Sequence, residues 1–456
     1  MVMSGRCRRC RIGAGFLLAV GLGWLATSCR LTGERPRPNV VVVLIDTLRP
    51  DYLGFYGYEK EYAPFLAELA QKGVVFERAF STSSWTAPST ASLFTSLYPP
   101  QHGITEGFLM HRNRNKRRAD EGAETIALNR LPSEVRTLPE VFQSMGYKTF
   151  GLTANINIGD EIGFSRGFDR FQREHDASAD FFLEQLTQWR GEISQSKPFF
   201  LYLHMNDVHL PYHKREPYYE EQKGRLNNRR ARYLSEVAYA DEYLRKIYDT
   251  LELGKDSIVV VLSDHGEEFR DHGGLAHQDK LYIELNRVLM MIHAPALGLE
   301  PRRVALNVSL IDVLPTLVDL AGGGQEEGAA DRMGLSLAPA ITMSERTADL
   351  IETLRQRALF AHRVSHEESD DPLRAVTLRH WKLIEKPDGS RELYNHRRDP
   401  TEGRNLYASF SDRIGAKLVE SLEEFKGVAP AAEPGRVEID VDRELEKELR
   451  SLGYVQ

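Results

Sequence analysis

The run Asn39–Asp46, N-V-V-V-V-L-I-D, constrains this chain more than any other stretch. β-Branched residues follow one another without apolar/polar alternation. Such runs belong to strands buried on both faces, as in parallel sheets covered by helices. Three further segments read as strands. K-T-F-G-L-T-A-N ends near Asn155, P-F-F-L-Y-L-H-M-N-D-V-H leads to His204, Asp207 and His209, and D-S-I-V-V-V-L-S-D-H ends at Asp264–His265. Helical patterns alternate with them: A-P-F-L-A-E-L-A-Q-K-G closing at Gly73, T-L-P-E-V-F-Q-S-M-G-Y ending near Gly146, one around Ala179–Ser194, and a long one over 229–253. The alternation predicts an α/β fold, a mostly parallel central sheet flanked by helices. In such sheets ligands bind beyond the carboxyl ends of the strands. Asp46, Asn155, His204–His209 and Asp264–His265 all fall at that end, which a chance scatter of surface polar residues would not produce.

The stretch Ser84–Gly103, S-W-T-A-P-S-T-A-S-L-F-T-S-L-Y-P-P-Q-H-G, adds a hydroxyl-rich turn running into Pro88 and a short helical pattern that stops at Pro99–Pro100. Proline is tolerated in a first helical turn, so Thr86 is expected at or just before a helix N-terminus, where free N–H groups favour an anion. Alone, these residues read more simply as an ordinary helix cap. Taken with Asp46, Asp264 and His265, Thr86 completes two carboxylates, an imidazole and a hydroxyl. That is an oxygen-dominated set for one divalent cation, Mn²⁺, Mg²⁺ or Ca²⁺, with Zn²⁺ as an alternative. A Thr hydroxyl is a poor nucleophile near neutral pH, and a metal that stabilises its alkoxide and polarises the group under attack would remedy this.

Farther on, the segment from Arg303 through N-V-S-L-I-D-V-L-P-T-L-V-D-L-A-G reads as one helix, and 325–345 as loop. L-R-A-V-T-L, W-K-L-I-E and R-E-L-Y-N, with P-D-G as a turn, predict a small C-terminal antiparallel sheet. At 456 residues the chain is long enough for one large domain and a smaller one. The expected organisation is a catalytic domain over 39–345, a C-terminal subdomain over 346–430 and a charged helical tail over 431–456, with 111–130 as a polar insertion.

Arg6, Arg8, Arg9 and Arg11 precede an apolar run, Ile12–Ala26, that is short for a membrane span. Followed by T-S-C, it reads as a secretory signal over 1–28. L-A-T-S-C also resembles a bacterial lipoprotein box, which would make Cys29 the lipidated first residue, on a tether over 29–38. The expected place is the periplasm or the outer face of a bacterial membrane. Cys7, Cys10 and Cys29 are the three cysteines of the chain, so the mature domain would hold no disulfide and no catalytic thiol. Removing four Arg with the signal moves the net charge from −7 to about −11, which argues against nucleic acid as a partner. The basic run Arg112–Arg118 reads as a solvated loop, with contact to an anionic glycan or lipid headgroup as the functional alternative.

The ordered motifs D-T-L-R-P-D, T-A-P-S-T, H-M-N-D-V-H-L-P-Y, S-D-H-G-E-E, D-V-L-P-T-L and E-L-Y-N…D-P…N-L together resemble the sulfatase family of the alkaline phosphatase superfamily over most of the chain. The resemblance implies a metal set of Asp46, Thr86, Asp264 and His265. It also implies anion or leaving-group contacts from His209 and His277, and a substrate contact from Asn155. Two departures matter. The family carries C-x-P-S-R or S-x-P-S-R, whose first residue becomes formylglycine; Thr86 cannot form that aldehyde, and Thr90 replaces the Arg. Thr47 replaces the second Asp of the usual pair. Both changes resemble phosphonate monoester hydrolases and the lipoteichoic-acid and phosphoethanolamine transferases that use a Thr nucleophile. A phospho-Thr intermediate can be displaced in line by water or an alcohol, whereas a Thr sulfate would need direct attack by water at sulfur. The leading expectation is thus a metal-dependent hydrolase or transferase of phosphate or phosphonate esters, with a sulfuric-ester hydrolase as the alternative. A non-catalytic lipoprotein that binds anionic glycan is a further alternative.

Overall fold

The computed structural model describes residues 36–108, 125–277, 280–324, 329–364 and 372–440. The expected signal, Cys29, the basic run Arg112–Arg118 and the helix expected in the tail lie outside the described residues.

In chain order the strands are β1 (Asn39–Ile45), β2 (Val74–Phe80), β3 (Thr125–Arg130), β4 (Lys148–Thr153), β5 (Arg170–Arg173), β6 (Phe199–Met205), β7 (Ser257–Leu262), β8 (Glu268–Phe269) and β9 (Leu275–Ala276). They continue with β10 (Arg287–Val288), β11 (Met290–His293), β12 (Arg302–Ser309), β13 (Leu359–Arg363), β14 (Leu373–Leu378), β15 (Trp381–Glu385), β16 (Arg391–Asn395) and β17 (Gly435–Asp440). Among the described residues the helices of seven residues or more are α1 (Pro64–Lys72), α2 (Thr86–Thr95), α3 (Leu138–Ser144), α4 (Ala179–Gln195), α5 (Arg225–Thr250), α6 (Val313–Leu320), α7 (Thr347–Gln356) and α8 (Ala416–Lys426).

The main sheet runs β10-β2-β11-β7-β1-β6-β4-β5, with β12 also on β2. The block β7-β1-β6-β4-β5 is parallel, and β11 is antiparallel to both β7 and β2. β1 sits at the centre with all seven residues buried. Its alternate side chains feed two cores: Val40, Val42 and Leu44 pack with α2, α3 and α6 on one face, and Val41, Val43 and Ile45 pack with α1, α4 and α5 on the other. This two-sided burial is why the run shows no alternation. On α5 the residues Tyr233, Val237, Ala240, Leu244 and Ile247 form the buried stripe, at the spacing of one helix face.

β13–β16 form the separate antiparallel C-terminal sheet, with α8 packed on it through Leu418, Leu422 and Phe425. The three strands expected from sequence are β14, β15 and β16; β13 was not foreseen.

Three expectations are corrected. The stretch from Arg303 is not one helix. Arg302–Ser309 is strand β12, parallel to β2, and only Val313–Leu320 is α-helical. The Asp312 carboxylate, accepting from the Ser309 N–H at 2.8 Å, turns the chain between the two. The tail is not simply helical, because Gly435–Asp440 is strand β17, antiparallel to β3. β3 in turn gives the last part of the 111–130 insertion regular structure, with Ile126 and Leu128 buried. Finally, a glycine that closes a helix would ordinarily be left-handed, but Gly73 at the end of α1 is extended. A Cβ there would lie 2.6 Å from the Ile292 carbonyl oxygen, so close packing on β11 explains the residue.

Candidate active site

β1 delivers Asp46 to the carboxyl end of the sheet, fully buried. The adjacent parallel strands β6 and β7 bring His204 and, just past its end, Asp264 to the same edge. Asp46, His204 and Asp264 each offer a ligand atom within 4.8 Å of the others. The His265 Nε2 lies 3.7 Å from Asp46 and 3.4 Å from Asp264.

α2 supplies Thr86. Trp85 is the N-cap in an extended conformation, Thr86 opens the first turn and Pro88 follows within it, as the sequence predicts. The Thr86 Oγ1 lies 3.4 Å from an Asp46 oxygen and 3.3 Å from His265 Nε2. A buried hydroxyl at a helix N-terminus between a carboxylate and an imidazole is arranged for deprotonation and for attack on an anionic group.

The residues present fit a cation. One oxygen of each carboxylate, Asp46 Oδ1 and Asp264 Oδ2, is buried with no hydrogen-bond partner. Leaving such oxygens unpaired is costly unless a cation meets them. Burial pushes the Asp46 carboxyl up, but the His204 hydrogen bond and the His209 and His265 imidazoles outweigh it and hold it below the usual range. Asp264 is pushed up by burial and by the Asp46 charge beside it. A divalent ion between them would let both stay ionised.

Asn155 donates to Asp46 Oδ2 at 2.7 Å and to Asn206 Oδ1 at 3.0 Å, so it orients the carboxylate. His209 and His277 face each other with ring centroids 5.0 Å apart, and His277 stands 4.7 Å from the His265 ring. The His277 Nδ1 pairs with Glu267 at 3.1 Å, and Tyr212 OH donates to the other Glu267 oxygen at 2.6 Å. Burial pushes His277 down to about 4 against the pull of Glu267. Asp46, Thr86, Asn155, His209, Asp264, His265 and His277, picked out from sequence, therefore stand close together, whereas the Asp207 carboxylate instead accepts the Ala179 N–H at 2.9 Å.

Sequence reasoning missed several contributors. His204 was noted at a strand end but not assigned; its Nε2 meets Asp46 at 3.2 Å and its Nδ1 meets Tyr202 OH at 2.8 Å. The signal was present, since a polar residue in so apolar a strand needs a partner. Glu267 and Tyr212 act behind His277. Arg363, at the end of β13, lays its guanidinium 3.8 Å over the Trp85 ring, and the Trp85 Nε1–H donates to the His277 carbonyl at 3.3 Å. Nothing local marks Arg363, because its neighbour lies in a distant element. Thr47 has a left-handed φ of 58° and hydrogen-bonds the Val208 carbonyl at 2.9 Å, while its N–H holds Asp264 at 3.2 Å. In this chain the missing second Asp is thus a loop tie.

Residues 38–323 match the family model described as Sulfatase. The chain belongs to the sulfatase family. Its similar proteins include the choline-sulfatase of Rhizobium meliloti (strain 1021), 24% identical over 81% of this chain and 82% of the relative. They also include the delta 4,5-hexuronate-2-O-sulfatase of Bacteroides thetaiotaomicron, 23% identical over 81% of this chain and 84% of the relative. Among solved structures, the phosphonate monoester hydrolase of Agrobacterium radiobacter superposes with a TM-score of 0.67 at 19% identity, covering 86% of this chain and 95% of that one. That likeness shows the shared alkaline phosphatase-like fold. As a sulfatase-family enzyme the chain is a hydrolase of sulfuric or phosphonate esters, with a buried Asp–His–Asp group able to take a metal.

Proposed function

We propose that this chain is a metal-dependent ester hydrolase in which Thr86 stands in the nucleophile's place and a sulfuric ester is cleaved, the sulfuryl group passing to the Thr86 oxygen and then to a water that attacks at sulfur. The choline- and hexuronate-sulfatase relatives support the sulfuric ester. The observation that carries the catalytic reading is the Thr86 hydroxyl, 3.4 Å from Asp46 and 3.3 Å from His265 beside two orphaned carboxylate oxygens. Asp46, Asp264, Thr86 and His265, with His204 close by, would hold one divalent cation. When bound, such an ion polarises the ester and lowers the pKa of a hydroxyl.

The protein's own groups do the rest. Asp46 Oδ2, to which the Thr86 hydroxyl donates, is placed to take its proton, and the N-terminal turn of α2 presents N–H groups to the anion. His277 donates Nδ1–H to Glu267, so its Nε2 carries the lone pair while the ring is neutral. A bound anion raises the affinity of His277 for a proton, and that proton can pass to the leaving oxygen, with the His209 ring facing it 5.0 Å away.

Thr86 itself favours a second reading, a phosphate or phosphonate ester, since a phospho-Thr is released by in-line attack of water or of an acceptor alcohol. Purified protein supplied with Mn²⁺ should be assayed against nitrophenyl sulfate, phosphate, phosphodiester and phosphonate. A higher kcat/KM for the sulfate upholds the first reading, and the reverse order upholds the second. No turnover of any ester would leave the metal-free, glycan-binding lipoprotein. We also infer export and lipid attachment at Cys29, which a Cys29→Ala variant tests by moving the protein from the membrane to the soluble fraction.

A further inference from the structure

A cavity of about 320 Å³ opens beside the candidate active site, within the size range of small-ligand pockets. One wall is Leu210–Tyr212. The opposite wall is the beginning of α5, where Arg225, Asn228, Arg229 and Arg232 line the space. The three arginines stand four and then three positions apart, a spacing that puts all of them on one helix face. Among the described residues no acid lines this cavity, and none of the three guanidiniums has a carboxylate within ion-pair distance. Farther along the same helix the pattern differs, for Arg245 pairs with Glu68 and Lys246 with Glu242.

The cavity wall is tied to the catalytic groups by two chains of hydrogen bonds. The His209 ring pairs through Nδ1 with the Leu210 carbonyl at 2.7 Å. Tyr212, in the same wall, holds Glu267 at 2.6 Å, and Glu267 holds His277 at 3.1 Å. Its loop is pinned to α5. The His213 N–H and the Arg215 Nε–H donate to the buried Glu236 at 2.7 and 2.6 Å, and Tyr219 OH donates to Asn228 at 2.6 Å. Three like charges held on one rigid wall, without a counter-charge, make a concave positive field that recruits an anion. Guanidinium groups offer forked donors matched to carboxylate, sulfate or phosphate.

We propose that the Arg225, Arg229 and Arg232 wall receives a second anionic group of the substrate, so that the ester cleaved at Thr86 is carried on a polyanionic glycan. The inference rests on the ester-hydrolase reading given above and names the substrate class for it. Between the two kinds of relative, it favours a uronate body and disfavours choline, whose quaternary ammonium would enter a cavity already bearing three cations.

The test compares wild type with Arg229→Gln/Arg232→Gln, using the full chain and two probes, a sulfated hexuronate disaccharide and nitrophenyl sulfate. The ratio of their kcat/KM values is expected to fall at least about tenfold in the double variant, through KM for the disaccharide. Arg229→Lys/Arg232→Lys should recover part of the loss, which a packing defect would not allow. Calorimetric binding of the disaccharide, measured in a Thr86→Ala background, should weaken by a similar factor and should not do so for an uncharged disaccharide. Equal ratios and equal affinities in wild type and double variant would overturn the proposal and leave a solvated helix face. If wild type turned over neither ester, the catalytic reading would fall, while the calorimetric arm would still decide whether the cavity binds the anion.

Discussion

At the residue scale, the chemistry turns on one hydroxyl and the carboxylate beside it. Thr86→Ala removes the oxygen proposed to attack, without altering the helix start, since Trp85 and not Thr86 is the N-cap. It should lower kcat by at least about a thousandfold. Thr86→Ser should retain far more, and trapping label on residue 86 after brief exposure to substrate would show which hydroxyl reacts. Asn155→Ala leaves the Asp46 carboxylate without its 2.7 Å donor. Groups that orient metal ligands typically matter about 10–100-fold in metal affinity. A Mn²⁺ titration followed by activity should show a loss of that size with little change in kcat at saturating metal. A metal requirement unchanged in this variant would mean that Asp46 does not depend on Asn155.

At the element scale, the segment that carries His277 is held at both ends. Near its start Arg49 binds Asp271 at 3.0 Å and the Glu267 carbonyl at 2.8 Å. Near its end Glu402, reaching over from beyond β16, accepts from the Ile283 N–H at 2.8 Å and pairs with buried Lys382 at 3.3 Å and His396 at 2.6 Å. Glu402→Gln strands the Lys382 charge in the interior and should cost about 3–5 kcal/mol in urea unfolding. The double variant Glu402→Gln/Lys382→Met should recover most of it, and no recovery would mean that the two charges are not coupled. The glycine of S-D-H-G-E-E has a similar logic. A Cβ on Gly266 would sit 1.9 Å from the Glu284 carbonyl oxygen, so Gly266→Ala should displace His265 and abolish activity even where the chain still folds. These elements also show what was legible. Strands β1, β6 and β7 declared themselves by near-continuous apolar runs, and their polar ends marked the site. Strands β2 and β12 were missed. R-R-V-A-L-N-V-S runs straight into D-V-L-P-T-L, and the turn between them is made by a side chain, Asp312, rather than by Gly or Pro. Arg363 and Glu402 reach their partners only through tertiary packing, so no local pattern could reveal them.

At the scale of the whole molecule, buried neutral histidines tie stability to pH. His102 accepts the Ile104 N–H on Nδ1 at 3.1 Å and meets Ser92 through Nε2 at 3.0 Å, a pairing that requires the uncharged ring. Burial pushes His102 and His362 down to about 3 from the ordinary 6.5. Because the folded values lie below the unfolded one, their contribution is complete above pH 6.5 and is lost as pH falls toward 3. Each should remove on the order of 1 kcal/mol per pH unit within that window. Urea midpoints taken at pH 7, 5.5 and 4.5 should fall in step, and His102→Gln should flatten the slope.

The pairing of β17 with β3 brings together strands about 300 residues apart in the chain. The approach to β17 also touches the turn that follows the nucleophile helix, where the Ala431 N–H reaches the Gln101 carbonyl at 2.9 Å and the Asn129 side chain reaches Gly103. β3 therefore waits for a partner strand that follows it in the chain by about 300 residues. Until then β3, with Ile126 and Leu128, is an open edge able to capture a neighbouring chain. Ending a recombinant version before Gly435 should accordingly produce aggregates rather than a smaller enzyme, and an affinity tag is better spaced away from β17 than fused against it.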